Sequence, residues 1–183
     1  ELFCDYSEEI NLHKPTLMKL SVSFGQGLQM TNILKDIWDD RKRGACWLPQ
    51  DIFLKYGFHL TDMQPGMKDT NFQAGLAELL GIAKGHLQNA LIYTSLIPLH
   101  EKGIRRFCLW AIGMAILTLN KINNRRDFSE GTQVKISRNS VKTTVALTSL
   151  FASNDWILEL LFKLTSRNLP VAELHSEVLS GTP

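Results

Sequence analysis

FGQGLQMTNILKDIWDDRKRGACWLP, residues 24–49, decides how the rest of the chain is read. A helix from about Leu17 to Arg43 places Gly25, Gln29, Asn32, Asp36 and Asp40 at successive spacings of four, three, four and four residues. At roughly 100° per residue these five fall within an arc of about 80° and form one stripe some ~20 Å long. The stripe holds a glycine, two amides and two carboxylates, with no apolar side chain. Met30, Ile33, Leu34, Ile37 and Trp38 lie on another side, where a core would take them. Two explanations compete. A solvated face would use Lys35 with Asp39 and Asp39 with Arg43 as ordinary four-residue ion pairs. That arrangement leaves Asp36 and Asp40 without a cation, and carboxylates one turn apart repel mildly. A divalent ion between them reverses the sign, and an all-oxygen ligand set suits Mg²⁺ shared with substrate phosphates.

Working outward, Pro15 sits in the first turn of the long helix and Gly44 ends it. The cations Arg41, Lys42 and Arg43 fall near the negative end of its dipole, and a second role toward an anionic ligand stays open. Pro49 opens a short helix that Gly57 terminates, and His59–Lys68, with Pro65-Gly66, reads as a loop. Asp69 or Thr70 caps a helix to about Ile97, stopped by Pro98, in which His86 reads as a helix-face or core histidine. His100, Glu101 and Lys102 are expected in a loop, and Arg105 and Arg106 start a helix running to about Asn123. The stretch Arg125–Gly131 reads as a connection, Ser137 as the cap of a helix to about Ala152, and Asn154 or Asp155 as the cap of the last helix. In that helix Trp156, Ile157, Leu160, Leu161 and Leu164 are expected to pack on the core, with peripheral membrane contact as the weaker alternative. The tail from Ala172 is expected to be weakly ordered. No strand alternation, repeat or glycine-rich phosphate loop interrupts the helical periods, so the fold class is all-α.

At 183 residues the chain is one domain's worth and can bury a sizeable core. A net charge of +2 with 21% charged residues gives no nucleic-acid footprint. The three cysteines, Cys4, Cys46 and Cys108, are scattered without metal spacing, which fits a reduced compartment. Glu1-Leu2-Phe3 has neither a basic start nor a cleavage pattern, and the apolar, uncharged run of residues 107–120 is too short to cross a bilayer. The expected location is cytoplasmic, at most peripheral to a membrane.

The run Gly25-x-x-x-Gln29-x-x-Asn32-Ile33-x-Lys35-Asp36-Ile37-x-x-Asp40, followed by Arg43-Gly44 and Leu48-Pro49, resembles the second aspartate-rich signature of the squalene/phytoene synthase family. IPLHEKGIRRFCLWAIGMAILTLNKI and VKISRNSVK resemble later family segments, so the likeness spans most of the chain. It implies an isoprenoid-synthase fold and head-to-head joining of two prenyl diphosphates, farnesyl diphosphate being the expected substrate, toward squalene, presqualene diphosphate or phytoene-type products. It also implies two aspartate-rich helices facing each other across a cavity that holds Mg²⁺. Carried onto this sequence, Asp36 and Asp40 become the catalytic metal ligands, with Asp39 as a further candidate. Gln29 and Asn32 orient metal waters or diphosphate oxygens, and Lys35 offsets the leaving-group charge. Whether NADPH takes part stays open.

The match has departures. Ala45 and Trp47 stand where the family usually carries arginine and tyrosine, Lys35 where arginine is usual, and Gln133 where an arginine is common. Lysine keeps the charge at position 35 but lacks the planar fork that grips phosphate oxygens in pairs. A tyrosine often found on the C-terminal helix is not visible in WAIGMAILTL. No second aspartate pair with a comparable stripe occurs in residues 1–183, which are therefore expected to be the C-terminal portion of one domain and inactive without its N-terminal part. The rival function is a non-catalytic helical interaction domain whose acidic stripe docks a basic partner.

Overall fold

The computed structural model describes residues 1–172. Among them every regular element is helical: α1 (Leu2–Tyr6), α2 (Glu8–Asn11), α3 (Lys14–Lys42), α4 (Gln50–Leu54), a 3₁₀ turn (Leu60–Asp62), α5 (Thr70–Ser95), α6 (Lys102–Asn124), α7 (Gly131–Val134), α8 (Arg138–Leu150) and α9 (Asp155–Ser166). The tail expected to be weakly ordered lies, from residue 173 onward, outside the described residues.

Local chemistry sets most of these boundaries. Asp69 accepts the Asn71 and Phe72 amides at the start of α5, Ser137 the Ser140 amide at α8, and Asn154 the Ile157 amide at α9. Gly44, at φ 78°, takes the left-handed conformation just past the end of α3. Ser7 is extended, and its hydroxyl caps α2 separately from α1. Two expectations shift. Lys102 is helical rather than in a loop, since the Arg105 amide already donates to the Glu101 carbonyl. The connection that begins at Arg125 ends at Glu130, because Gly131 already opens the single turn of α7.

The centre of the molecule is α3, α5 and α6 packed on one another, with α8 and α9 covering α6. Leu34, Ile37 and Trp38 of α3 meet Leu76, Leu80 and Leu87 of α5 in the main core. Trp38 and Phe72 are 6.1 Å apart between ring centroids, and Phe53 stacks on Phe72 at 5.4 Å. Each such fully buried ring contributes roughly 1.5–3 kcal/mol relative to leaving it in water. A smaller cluster of Cys4, Ile10, Leu17, Ile97 and Cys108 ties α1 and α2 to the ends of α3, α5 and α6. All three cysteines are free, and burial pushes the Cys108 thiol up to about 11.

Two polar devices fix the helices. Ser23, fully buried on α3, lies 2.7 Å from Nδ1 of His86 and accepts a bond from Asn89 Nδ2 at 2.9 Å, pinning α3 to α5. His86 is therefore the helix-face histidine that its periodicity indicates, and burial lowers its pKa. Arg105 of α6 is 0% exposed. Its Nε donates to the Ala152 carbonyl at 2.6 Å, its Nη1 to the carbonyls of Thr94 at 2.9 Å and Ile97 at 2.7 Å, and its Nη2 to the Asp155 carboxylate. One guanidinium thus satisfies the frayed end of α5, the turn after α8 and the start of α9.

The last helix corrects the sequence reading. Trp156, Leu160 and Leu164, expected in the core, are 71%, 40% and 53% exposed, whereas Leu158 and Phe162 are buried. Arg105 anchors Asp155 and so sets the rotation of α9, turning the 158/162 row inward.

Replacing Arg105 with methionine keeps bulk but strands the Ile97 and Ala152 carbonyls, while the Thr94 carbonyl keeps the Ile97 amide. The unfolding free energy should fall by about 2 kcal/mol or more, at roughly 1–3 kcal/mol for each unsatisfied acceptor. Urea unfolding measures it, and a loss below about 1 kcal/mol would show that water replaces the guanidinium.

Candidate active site

The stripe on α3 emerges as its spacing requires. Gly25, Gln29 and Asn32 are exposed, while Asp36 and Asp40 are partly covered, with side chains 37% and 15% exposed. The expectation that both carboxylates lack a cation is not met. Lys35 Nζ lies 3.2 Å from Asp36 Oδ2, and Arg43 pairs with Asp40. Asp39 pairs with Lys42 at 3.9 Å rather than with Lys35 or Arg43. The physical reason is reach: long cationic side chains fold onto carboxylates one or three residues away as easily as four. Lys35 also donates to Asn32 Oδ1 at 3.4 Å, so Asn32, Lys35 and Asp36 form one linked group.

Asp36 and Asp40 do not share a cleft. Asp40 closes a narrow crevice with Ile33, Ile37 and the 45–48 loop. Asp36 instead lines a cleft of about 360 Å³ with Lys35, Asp39, Thr118 of α6, Thr132 of α7 and Lys135. Gly131 is the contact that shapes this cleft. A Cβ on it would come 3.0 Å from Asp39 Oδ2, 3.1 Å from the Lys35 carbonyl and 3.3 Å from Asp36 Oδ1. The absence of that methyl lets α7 sit directly over the two carboxylates. Thr118, Gly131, Thr132 and Lys135 were not singled out by the sequence as site residues. Only their place in and before the VKISRNSVK segment marks three of them, while Thr118 joins through tertiary packing.

The other departures find physical places. Gln133 accepts the Ser129 amide at 3.0 Å and donates to the Ser129 hydroxyl at 3.1 Å, so it braces the turn before α7. Trp47 is 65% exposed beside the Asp40 crevice. Arg41 is engaged with the Thr61 carbonyl at 2.9 Å.

No group of three or more His, Cys, Asp or Glu side chains converges as a metal cage among the described residues. The donor chemistry nonetheless fits a shared Mg²⁺, which takes one or two carboxylates and completes its shell with water and phosphate oxygens. Asp36 Oδ1 and Asp39 Oδ2 both approach one point over Gly131, and Lys35 and Lys135 supply positive charge for an anionic ligand alongside.

A family model described as squalene/phytoene synthase matches residues 1–140. Phytoene synthase of Thermus thermophilus is 31% identical over 94 residues, 46% of this chain and 32% of that protein. Squalene synthase of Saccharomyces cerevisiae is 33% identical over 121 residues, 66% of this chain and 26% of that protein. Squalene synthase of Homo sapiens is 32% identical over 122 residues, again 66% of this chain, and 28% of that protein. The chain thus spans about a quarter to a third of the length of the curated relatives it matches.

Two glycine substitutions separate the cleft from the open stripe. A Cβ at Gly25 would meet nothing within 4 Å, so Gly25→Ala should stabilise α3 by up to about 1 kcal/mol. Gly131→Ala should destabilise by about 1–3 kcal/mol, because the Lys35 carbonyl belongs to a helix and cannot step aside. Parallel urea unfolding decides it; effects of the same sign would contradict the close approach of α7 to α3.

Proposed function

The chain belongs to the squalene/phytoene synthase family, and on that premise we propose that it forms one wall of an active site joining two prenyl diphosphates head-to-head. The observation that carries the reading is the cleft where Asp36 and Asp39 meet Lys35 and Lys135, two anionic and two cationic groups converging on one polar space. In this reading Asp36 and Asp40 hold Mg²⁺, with Asp39 as a further ligand, which requires Asp40 to leave Arg43 and turn from its own crevice toward the cleft that Asp36 and Asp39 share. Bound Mg²⁺ stabilises the negative charge that develops on a departing diphosphate. Lys35 turns from Asp36 to the diphosphate oxygens, Lys135 meets them from the opposite side, and Gln29 and Asn32 orient metal waters.

Releasing the present ion pairs costs little. Lys35 and Asp36 are each about a third exposed, and a pair in contact with solvent contributes about 0–1 kcal/mol. Arg43 is exposed while its partner Asp40 is mostly covered, so that pair is the firmer of the two. Their cations can therefore exchange partners when a more highly charged ligand arrives.

The exposure of Gly25, Gln29 and Asn32 supports a second part of the proposal. Coupling two allylic carbons requires approach to about 3–3.5 Å and exclusion of water from a carbocation, which needs walls on both sides. We place the facing wall in the N-terminal part of the intact protein. Residues 1–183 then form the C-terminal portion of the domain and are inactive alone. Farnesyl diphosphate is the proposed substrate, and the proposal covers the coupling step rather than any later reduction by NADPH. No described helix is long and apolar enough to cross a membrane, and the exposed row Trp156, Leu160 and Leu164 supports transient contact with a bilayer that holds the products.

Asp36→Asn and Asp40→Asn keep size but remove a hard anionic ligand. In the intact protein, assayed with labelled farnesyl diphosphate and Mg²⁺, kcat/KM should fall about a hundredfold or more, the scale of losing a principal electrostatic stabiliser. Near-normal turnover by Asp36→Asn at saturating Mg²⁺ would remove the metal assignment.

A further inference from the structure

A second space lies between α6, α8 and α9, a groove of about 480 Å³ that shares no lining residue with the acidic cleft. Ile112 and Ile116 of α6, Leu147 of α8, and Leu161 and Phe162 of α9 form its apolar surfaces, and no charged side chain lines it. The sequence gives a different impression, because Ser140, Thr143, Thr144, Thr148 and Thr165 also line it. Three of those hydroxyls are already engaged by their own helices. Thr144 donates to the Ser140 carbonyl at 2.9 Å, Thr148 to the Thr144 carbonyl at 2.6 Å, and Thr165 to the Leu161 carbonyl at 2.7 Å. The Cγ2 methyls of Thr144 and Thr148 are the atoms that approach Gly113 on the groove's α6 side. Threonines bound back to the helix in this way behave toward a ligand as small apolar side chains.

The chemistry of a suitable ligand follows from this lining. A diphosphate or carboxylate would lose its water here and meet no cation, at a cost of several kcal/mol. A neutral hydrocarbon loses nothing on entry and gains dispersion contacts with isoleucine, leucine, phenylalanine and threonine methyls. The volume lies in the range of small-molecule sites, roughly 300–1,000 Å³. Leu147 is 40% exposed and Thr143 is exposed, so the groove is open to solvent on the α8 side. We infer that this groove is a binding site for a neutral hydrocarbon-chain ligand, distinct in chemistry from the cleft that would meet diphosphate. The inference stands on the groove alone and does not depend on the transferase reading.

The test titrates the intact protein with farnesol, a neutral isoprenoid alcohol, by calorimetry, and maps contacts with a diazirine analogue of farnesol. Saturable binding is expected, unchanged by added Mg²⁺ and inorganic diphosphate, with photolabel on α6, α8 or α9. Leu147→Glu, which places a carboxylate at the exposed edge, should weaken binding tenfold or more, and Leu147→Met should leave it within about twofold. Leu161→Trp, which fills the groove, provides a second variant should Leu147→Glu fail to give a cooperative melt. Unchanged affinity in a folded Leu147→Glu or Leu161→Trp protein overturns the assignment, as does label confined to α3 and α7. Farnesol binding that appears only after removal of residues 173–183 would make the chain's own segment the occupant, and would overturn it equally.

Discussion

The direction in which the acidic stripe points depends on how closely α3 crosses α5 at Gly27. A Cβ there would lie 3.1 Å from Leu87 Cδ2 and 3.2 Å from both the Leu87 amide nitrogen and His86 Cβ. One turn earlier, the buried Ser23 hydroxyl is held by His86 and Asn89. A glycine contact and a hydrogen-bonded pin on one face leave α3 no freedom to roll. Leu34, Ile37 and Trp38 are then committed to the core, and the row from Gly25 to Asp40 must face away from it. Adding even a methyl group at such a crossing is felt in a close-packed interior.

A second constraint acts from α6. Arg105 collects carbonyls from the ends of two helices and a carboxylate from a third, so α5, α8 and α9 take their positions relative to one buried cation. Apolar packing alone would tolerate several rotations of α9; the directed bond from Arg105 to Asp155 at its first turn favours one. The groove between α6, α8 and α9 and the acidic cleft beside Thr118 are therefore two products of one scaffold. They lie along the same helix but differ in charge, because α7 brings Lys135 to one and α8 brings back-bonded threonines to the other.

The sequence was most informative where the deciding contacts are local. Pro15 and Gly44 bound α3, and the side chains of Asp69, Ser137 and Asn154 cap their helices as their types suggest. The face of α3 was legible because a strict polar period coexists with a strong apolar one. It was less informative where reach or distant packing decides. Asp36 and Asp40 find Lys35 and Arg43 because flexible side chains choose among several neighbours. Trp156, Leu160 and Leu164 have the right spacing for a core face, yet the Arg105–Asp155 link turns them outward. Thr118 and Gly131 reach the cleft from segments more than 80 residues beyond Asp36, and no local pattern announces that meeting.

The central claim is that the α3 carboxylates bind a metal ion together with diphosphate rather than dock a basic protein surface. Thermal unfolding of the intact protein tests it most directly, with Mg²⁺ alone, inorganic diphosphate alone, and both. A ligand held only by the native state at a hundred times its Kd adds about 2.7 kcal/mol. The account predicts a clear rise in Tm that needs both components and disappears in Asp36→Asn. No rise with both present, or an equal rise in Asp36→Asn, would contradict it.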